Sequence, residues 1–141
     1  MKRTIIIFLI IFIISGVKIM AFAGQIVSQN RVVVYYFHGD FRCSTCYKME
    51  QYSKEAVETN FKDALASGKL EFKVINVEDR ANQHYTKDYQ LYTKTLILSL
   101  IKDDLEIRWK NMDKIWEYAG NKQNFIGYLK SGVDDFLKEC K

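Results

Sequence analysis

The stretch Arg31-Val32-Val33-Val34-Tyr35-Tyr36-Phe37-His38-Gly39-Asp40-Phe41-Arg42-Cys43-Ser44-Thr45-Cys46 decides how this chain folds. From Arg31 to Phe37 it is an unbroken β-branched and aromatic run, the pattern of a strand covered on both faces. His38-Gly39-Asp40-Phe41-Arg42 ends the run. From Cys46 onward the apolar residues recur at three and four: Cys46, Met49, Tyr52, Ala56, Val57, Phe61, Ala64 and Leu65. That spacing predicts one long amphipathic helix, closed by Ser67-Gly68 at its C-terminus. Cys43-Ser44-Thr45-Cys46 therefore falls where the strand hands over to the helix.

Downstream, Leu70, Phe72 and Val74 alternate with Glu71 and Lys73 and lead into Ile75 and Val77, a second strand. A weaker helix is expected from Ala81 to Tyr89, with Ala81, Tyr85 and Tyr89 on one face. Thr95 to Ile101 reads as a third strand, Asp103-Asp104 as a turn, and Leu105 to Trp109 as a fourth strand, antiparallel because the connection is short. Asp113 is placed to cap a short helix around Ile115 and Trp116. After Gly120-Asn121, a last helix sets Phe125, Leu129, Val133, Phe136 and Leu137 on one face. The order β-α-β-α-β-β-α predicts an α/β sandwich: a central mixed four-stranded sheet flanked by helices. Trp109 and Trp116 fit core and rim positions better than a ligand cage.

Upstream, residues 1–23 have the form of a secretory signal peptide. Lys2 and Arg3 precede an apolar run from Ile5 to Ile14, and Ala21-Phe22-Ala23 offers small residues for cleavage after Ala23. Lys18 interrupts the run before it reaches the roughly 20 apolar residues a spanning helix needs. The domain is then 24–141. Of the 21 Lys+Arg against 17 Asp+Glu in the chain, Lys2, Arg3 and Lys18 belong to the leader, leaving 18 basic against 17 acidic residues. The +4 formal charge thus gives no support to nucleic-acid binding. With 48% hydrophobic residues the chain is too apolar to be disordered, and three cysteines are too few for a disulfide-stapled mini-protein. Export points to a periplasmic location.

The chemistry lies in Cys43 and Cys46. Unpaired N–H groups at a helix start, together with the helix dipole, hold a cysteine there partly as thiolate. Arg42 adds a positive charge beside Cys43, and no acidic residue intervenes between Asp40 and Glu50. Cys43 is thereby the attacking thiol and Cys46, one turn deeper beside Met49, the resolving one. Zinc sites use the same spacing, but a structural site needs four ligands, and the mature chain adds only Cys140, His38 and His84. A purely structural disulfide would close a very short loop and gain little.

The element order with CxxC at the first strand-helix junction resembles the thioredoxin-like superfamily over essentially the whole mature chain. More narrowly, His38-Gly39-Asp40-Phe41-Arg42-Cys43-Ser44-Thr45-Cys46, followed by Glu50, resembles the thioredoxin-like subunit of nitrophenyl-compound nitroreductases, the ArsF family. The resemblance implies an extracytoplasmic dithiol oxidoreductase working beside a membrane-bound electron donor or reductase. Its substrates would be a protein disulfide, a nitroaromatic or an organoarsenical, and it would need no cofactor beyond the dithiol.

Two departures from thioredoxins matter. Where they carry a cis-proline opposite the dithiol, this chain has Lys94-Thr95-Leu96 and no proline at all. A cis bond to a non-proline residue costs roughly 2.5–4 kcal/mol, so a trans loop is expected. Lys94 is either a solvated lysine or a cation facing Cys43 that also attracts an anionic substrate. Thioredoxins also bury a carboxylate beneath the resolving cysteine. Here Tyr36 stands about there, expected to serve as packing, and His38 is the candidate to take the Cys46 proton, or else a loop histidine bonded to backbone. Cys140, next to last, is expected to be a frayed, exposed thiol, with three-sulfur capture of arsenic alongside Cys43 and Cys46 as the sharper option. The competing functional class is a soft-metal or metalloid chaperone using Cys43, Cys46 and His38.

Overall fold

The computed structural model describes residues 30–140; the expected leader, residues 1–23, lies outside the described residues. Strand β1 (Arg31–His38) is the centre of the molecule, with every residue from Val32 to Phe37 buried. Helix α1 (Ser44–Asn60) follows, then a short α2 (Lys62–Ala66) and β2 (Leu70–Asn76). After α3 (His84–Asp88) come β3 (Thr95–Lys102) and β4 (Leu105–Asn111), then α4 (Ile115–Tyr118) and α5 (Lys122–Glu139). The sheet order is β2-β1-β3-β4. β1 runs parallel to β2, Tyr36 opposite Val74, and antiparallel to β3, Tyr36 opposite Leu96. This is the central mixed four-stranded sheet flanked by helices that the sequence led us to expect.

The unbroken apolar run of β1 is explained by two separate cores. Val32, Val34 and Tyr36 face α1 and α5, where Met49, Val57, Phe125, Leu129 and Phe136 pack on them. Val33, Tyr35 and Phe37 face the other way, into a smaller aromatic layer with Tyr85 and Tyr89. On the first side α5 comes close to the sheet. A Cβ on Gly132 would stand 2.7 Å from Met112 Cε and 2.9 Å from Leu98 Cδ1, so only glycine fits without displacing them.

Three local expectations are corrected. The single long helix is broken at Phe61 (φ −132°, ψ 34°), which swings its ring into the core. The Asn60 side chain helps by donating to the Ala56 carbonyl at 2.8 Å, competing with the helical ladder. The chain still turns at Ser67-Gly68 as expected. The weak helix over 81–89 shrinks to His84–Asp88, leaving Ala81 exposed while Tyr89 is buried. Asp113 does not cap α4, whose first turn has no side-chain cap; it accepts instead from the Tyr128 hydroxyl at 3.3 Å.

Asp103 and Asp104 both have positive φ, 50° and 59°, the two-residue turn whose twist matches a hairpin. Beyond it, β4 carries a bulge opposite Leu100/Ile101. The extra residue shifts the alternation, so that Glu106 and Trp109, three apart, both meet Tyr89 on the aromatic face. Glu106 accepts from Tyr89 at 2.6 Å and from the buried Ser99 hydroxyl, so Ser99 is satisfied. Burial and this carboxylate push the Tyr89 phenol well above its usual range.

Candidate active site

The loop from His38 to Arg42 carries the chain from the end of β1 to the start of α1, and neighbouring side chains fix its path. Glu78 accepts from the Asp40 N–H at 3.1 Å, and the Asn76 amide donates to the Asp40 carboxylate at 2.7 Å. Gly39 sits under this clamp: a Cβ there would be 2.3 Å from Glu78 Oε1. The Val77 N–H donates to the His38 carbonyl at 2.8 Å, extending the parallel pairing into the loop.

Cys43 is the N-cap of α1, with extended backbone (φ −83°, ψ 165°). Its sulfur accepts from the Cys46 N–H at 3.2 Å, and the Cys46 sulfur accepts from the Cys43 N–H at 3.2 Å. Two cysteines thus perform the reciprocal capping usually done by Ser or Thr with Glu. They are joined as a disulfide, with Cα atoms 5.1 Å apart. Cys43 is half-buried and Cys46 is 1% exposed, so an incoming group reaches Cys43 first.

Tyr36 is more than packing. Its hydroxyl, fully buried, donates to the Cys46 carbonyl at 2.7 Å and ties the first turn of α1 to β1. Burial pushes the phenol up to about 12, with the Arg42 charge opposing, so it stays a donor at any physiological pH. The His38 ring nitrogen Nδ1 lies 2.9 Å from the Gly39 carbonyl and can only donate to it, which leaves Nε2 free as an acceptor in the neutral ring.

Arg42 has an acidic partner of its own. Its guanidinium pairs with Glu50 and lies 4.4 Å over the Tyr47 ring, pointing down α1. Glu50 is the first acidic residue of that helix, and its position in the sequence was the available sign of this pairing. Lys94 lies on the loop leading into β3; its ammonium is 6.0 Å from the centre of the Phe41 ring, and its carbonyl accepts from Trp116 Nε1–H at 2.9 Å. All peptide bonds among the described residues are trans, the Lys94-Thr95 bond included. Phe41 (78% exposed) and Trp116 (40%) meet Lys94 as an apolar lip, and Tyr92 (94%) lines a cleft with the same lysine. Trp116 reaches this lip through a backbone contact that periodicity alone does not reveal.

No family model matches the chain, and no curated protein does. Among solved structures the chain is similar to a thioredoxin of Fasciola hepatica, with 16% identity, a TM-score of 0.45, and 81% of this chain and 85% of that chain covered. It is also similar to thioredoxin f2 of Chlamydomonas reinhardtii, with 17% identity, a TM-score of 0.35, and 69% and 83% covered. Both are thioredoxins.

Cys140 is not a frayed thiol. It is 7% exposed, belongs to the main core at the end of α5, and burial raises its thiol against the opposing charges of Lys69 and Lys102. Those lysines mark the Arg31 end of the sheet, whereas Cys43 follows His38 at the other end. Eight residues of β1 span about 25 Å, so the three sulfurs do not meet. Among the described residues no three His, Cys, Asp or Glu side chains converge on a metal site, and His38 does not join the two cysteines in one.

Proposed function

We propose that the protein is a thiol-disulfide oxidoreductase whose working group is the Cys43–Cys46 pair. The carrying observation is the disulfide itself, seated at the N-terminus of α1 with one sulfur accessible and the other buried. In the reduced form the Cys43 thiolate, favoured by the helix dipole, attacks a substrate sulfur. A mixed disulfide forms and the first substrate thiolate leaves. Cys46 then loses its proton and attacks the Cys43 sulfur, releasing the second substrate thiolate and restoring the intramolecular disulfide. One electron pair passes to the substrate. The Cys46 proton goes to water or to His38 Nε2, and the departing thiolates take up protons from solvent.

The finer role we propose is electron delivery outside the cytoplasm. The supports are the leader pattern of residues 1–23 and the His38-to-Cys46 motif, which resembles the nitrophenyl-nitroreductase subunit. A periplasmic protein of this kind needs a membrane-bound donor to return an electron pair to the disulfide. The lip of Phe41 and Trp116 with the Lys94 ammonium offers a substrate an aromatic surface and one positive charge, which suits a nitroaromatic or arsenical anion as well as a disulfide-bearing chain. Each turn gives two electrons and two protons, enough to take a nitro group to a nitroso group and water.

Turnover of insulin disulfides by the purified protein with a small dithiol as reductant tests the general function. Wild type is expected to precipitate the insulin B chain, while Cys46→Ser accumulates a mixed disulfide on Cys43. Failure of both would overturn the oxidoreductase assignment. Nitrophenyl reduction supported by the reduced protein with its membrane fraction, and absent in Cys43→Ser, tests the finer role.

A further inference from the structure

We infer that Glu50 is a positioning residue for the dithiol: by pairing with Arg42 it withholds the guanidinium from the Cys43 sulfur, and so governs how much thiolate the reduced protein presents. The inference rests on the redox function proposed for Cys43 and Cys46. Arg42 is the residue next to Cys43, yet its guanidinium is found against Glu50 and over Tyr47. Glu50 lies seven positions after Cys43, about 10 Å along a helix. The pair is partly buried, the side chains 16% and 28% exposed, so solvent screens it incompletely and the Glu50 carboxylate offsets part of the guanidinium charge. Meanwhile the buried Arg42 Nε–H has no hydrogen-bond partner, which leaves a donor unspent on the residue beside Cys43.

The other charged groups of the neighbourhood are already engaged elsewhere. The Asp40 carboxylate is held by Asn76, Glu78 by the Asp40 N–H, His38 by the Gly39 carbonyl, and Lys94 lies at Phe41. The Tyr36 hydroxyl is committed to the Cys46 carbonyl. Glu50 is thus the group whose charge decides whether Arg42 acts on the cysteine. Reduction of the disulfide adds two electrons; with Cys43 left as thiolate and Cys46 as thiol it takes up one proton, and with both as thiols it takes up two. Neutralising Glu50 releases the guanidinium, favours the one-proton product, and moves the dithiol toward the oxidising end of its range.

The test is the alkylation rate of Cys43 by iodoacetamide in the reduced full-length protein between pH 4 and 9, in wild type, Glu50→Gln, Arg42→Met and the double variant. Labelling is assigned to Cys43 by fragment-ion sequencing of the peptide that carries Cys43 and Cys46, and Cys140 falls on a different peptide. Glu50→Gln is expected to raise the rate at pH 6 by about threefold or more and to lower the thiol midpoint. In the Arg42→Met background the same change is expected to alter the rate by less than about 1.5-fold, because Glu50 acts through Arg42. An unchanged rate in Glu50→Gln, or an equal gain with and without Arg42, overturns the inference. The disulfide's equilibrium with glutathione gives a second reading, expected to shift by about threefold toward the reduced protein in Glu50→Gln and to stay put if Glu50 is uninvolved. Alkylation needs no turnover, so a protein that alkylates as expected but leaves insulin intact would sink the oxidoreductase function and leave this inference standing.

Discussion

Tyr36 shows how much one buried oxygen can decide. A phenol in the middle of an apolar strand reads as bulk, but its hydroxyl finds the Cys46 carbonyl 2.7 Å away and anchors the turn that carries both sulfurs. Tyr36→Phe keeps the ring and loses that bond. Stability by denaturant unfolding at pH 7 is expected to fall by about 1 kcal/mol, with faster exchange of the first amides of α1. The pH profile carries a sharper signature. In the unfolded chain the phenol titrates near 10, and in the folded protein near 12. Between those values the folded state binds the extra proton, so stability is fully present below about pH 10 and falls as pH rises toward 12. Tyr35, also pushed up to about 12 by burial, adds a slope of the same sign. Tyr36→Phe should flatten the decline in part, leaving the shares of Tyr35, Tyr89 and Tyr128, whose phenols are raised in the same direction.

At the scale of elements, caps and breaks separate what pattern reveals from what it hides. Asn121 caps α5, its side-chain oxygen accepting from the Asn124 N–H at 3.1 Å, and Asn121→Ala is expected to cost about 1 kcal/mol. Asp113→Ala is expected to change stability by less than about 0.5 kcal/mol, since Asp113 caps nothing and lies on the surface. Thermal melts of the two variants make the comparison. The strands were legible for different reasons: β1 and β3 as continuous buried apolar runs, β2 through Leu70 and Phe72, and β4, exposed throughout, only through the short turn before it. The place of the dithiol followed from β1. The break at Phe61 was not legible, because Phe61 satisfies the helical spacing and leaves the helix for a backbone turn that a one-dimensional period does not encode. The β4 bulge was hidden for a related reason: one added residue reverses which side chains share a face, and only the partner strand shows it. The pairing of Arg42 with Glu50 lay in plain view as two charges, but the direction of the arginine side chain along α1 is a three-dimensional fact.

For the whole molecule, the position of Cys140 matters most. Both long helices lie on one face of the sheet, and α5 ends at the edge opposite the dithiol, with Cys140 packed into the main core. Cys140→Ala is therefore expected to leave insulin reduction and the Cys43 alkylation profile unchanged while lowering the melting temperature by a few degrees through a small lost packing volume. A loss of arsenite binding in that variant, with stability intact, would contradict the separation of the sulfurs.

The mutual capping of Cys43 and Cys46 has one more consequence. Each sulfur already faces the other residue's amide, so when the bond between them opens, the new negative charge appears where N–H dipoles are waiting. Nothing in the scaffold has to swing round to greet it. The reorganisation energy of electron exchange is thereby confined to two sulfur atoms separating, and the rest of the helix serves as a rigid electrode for them.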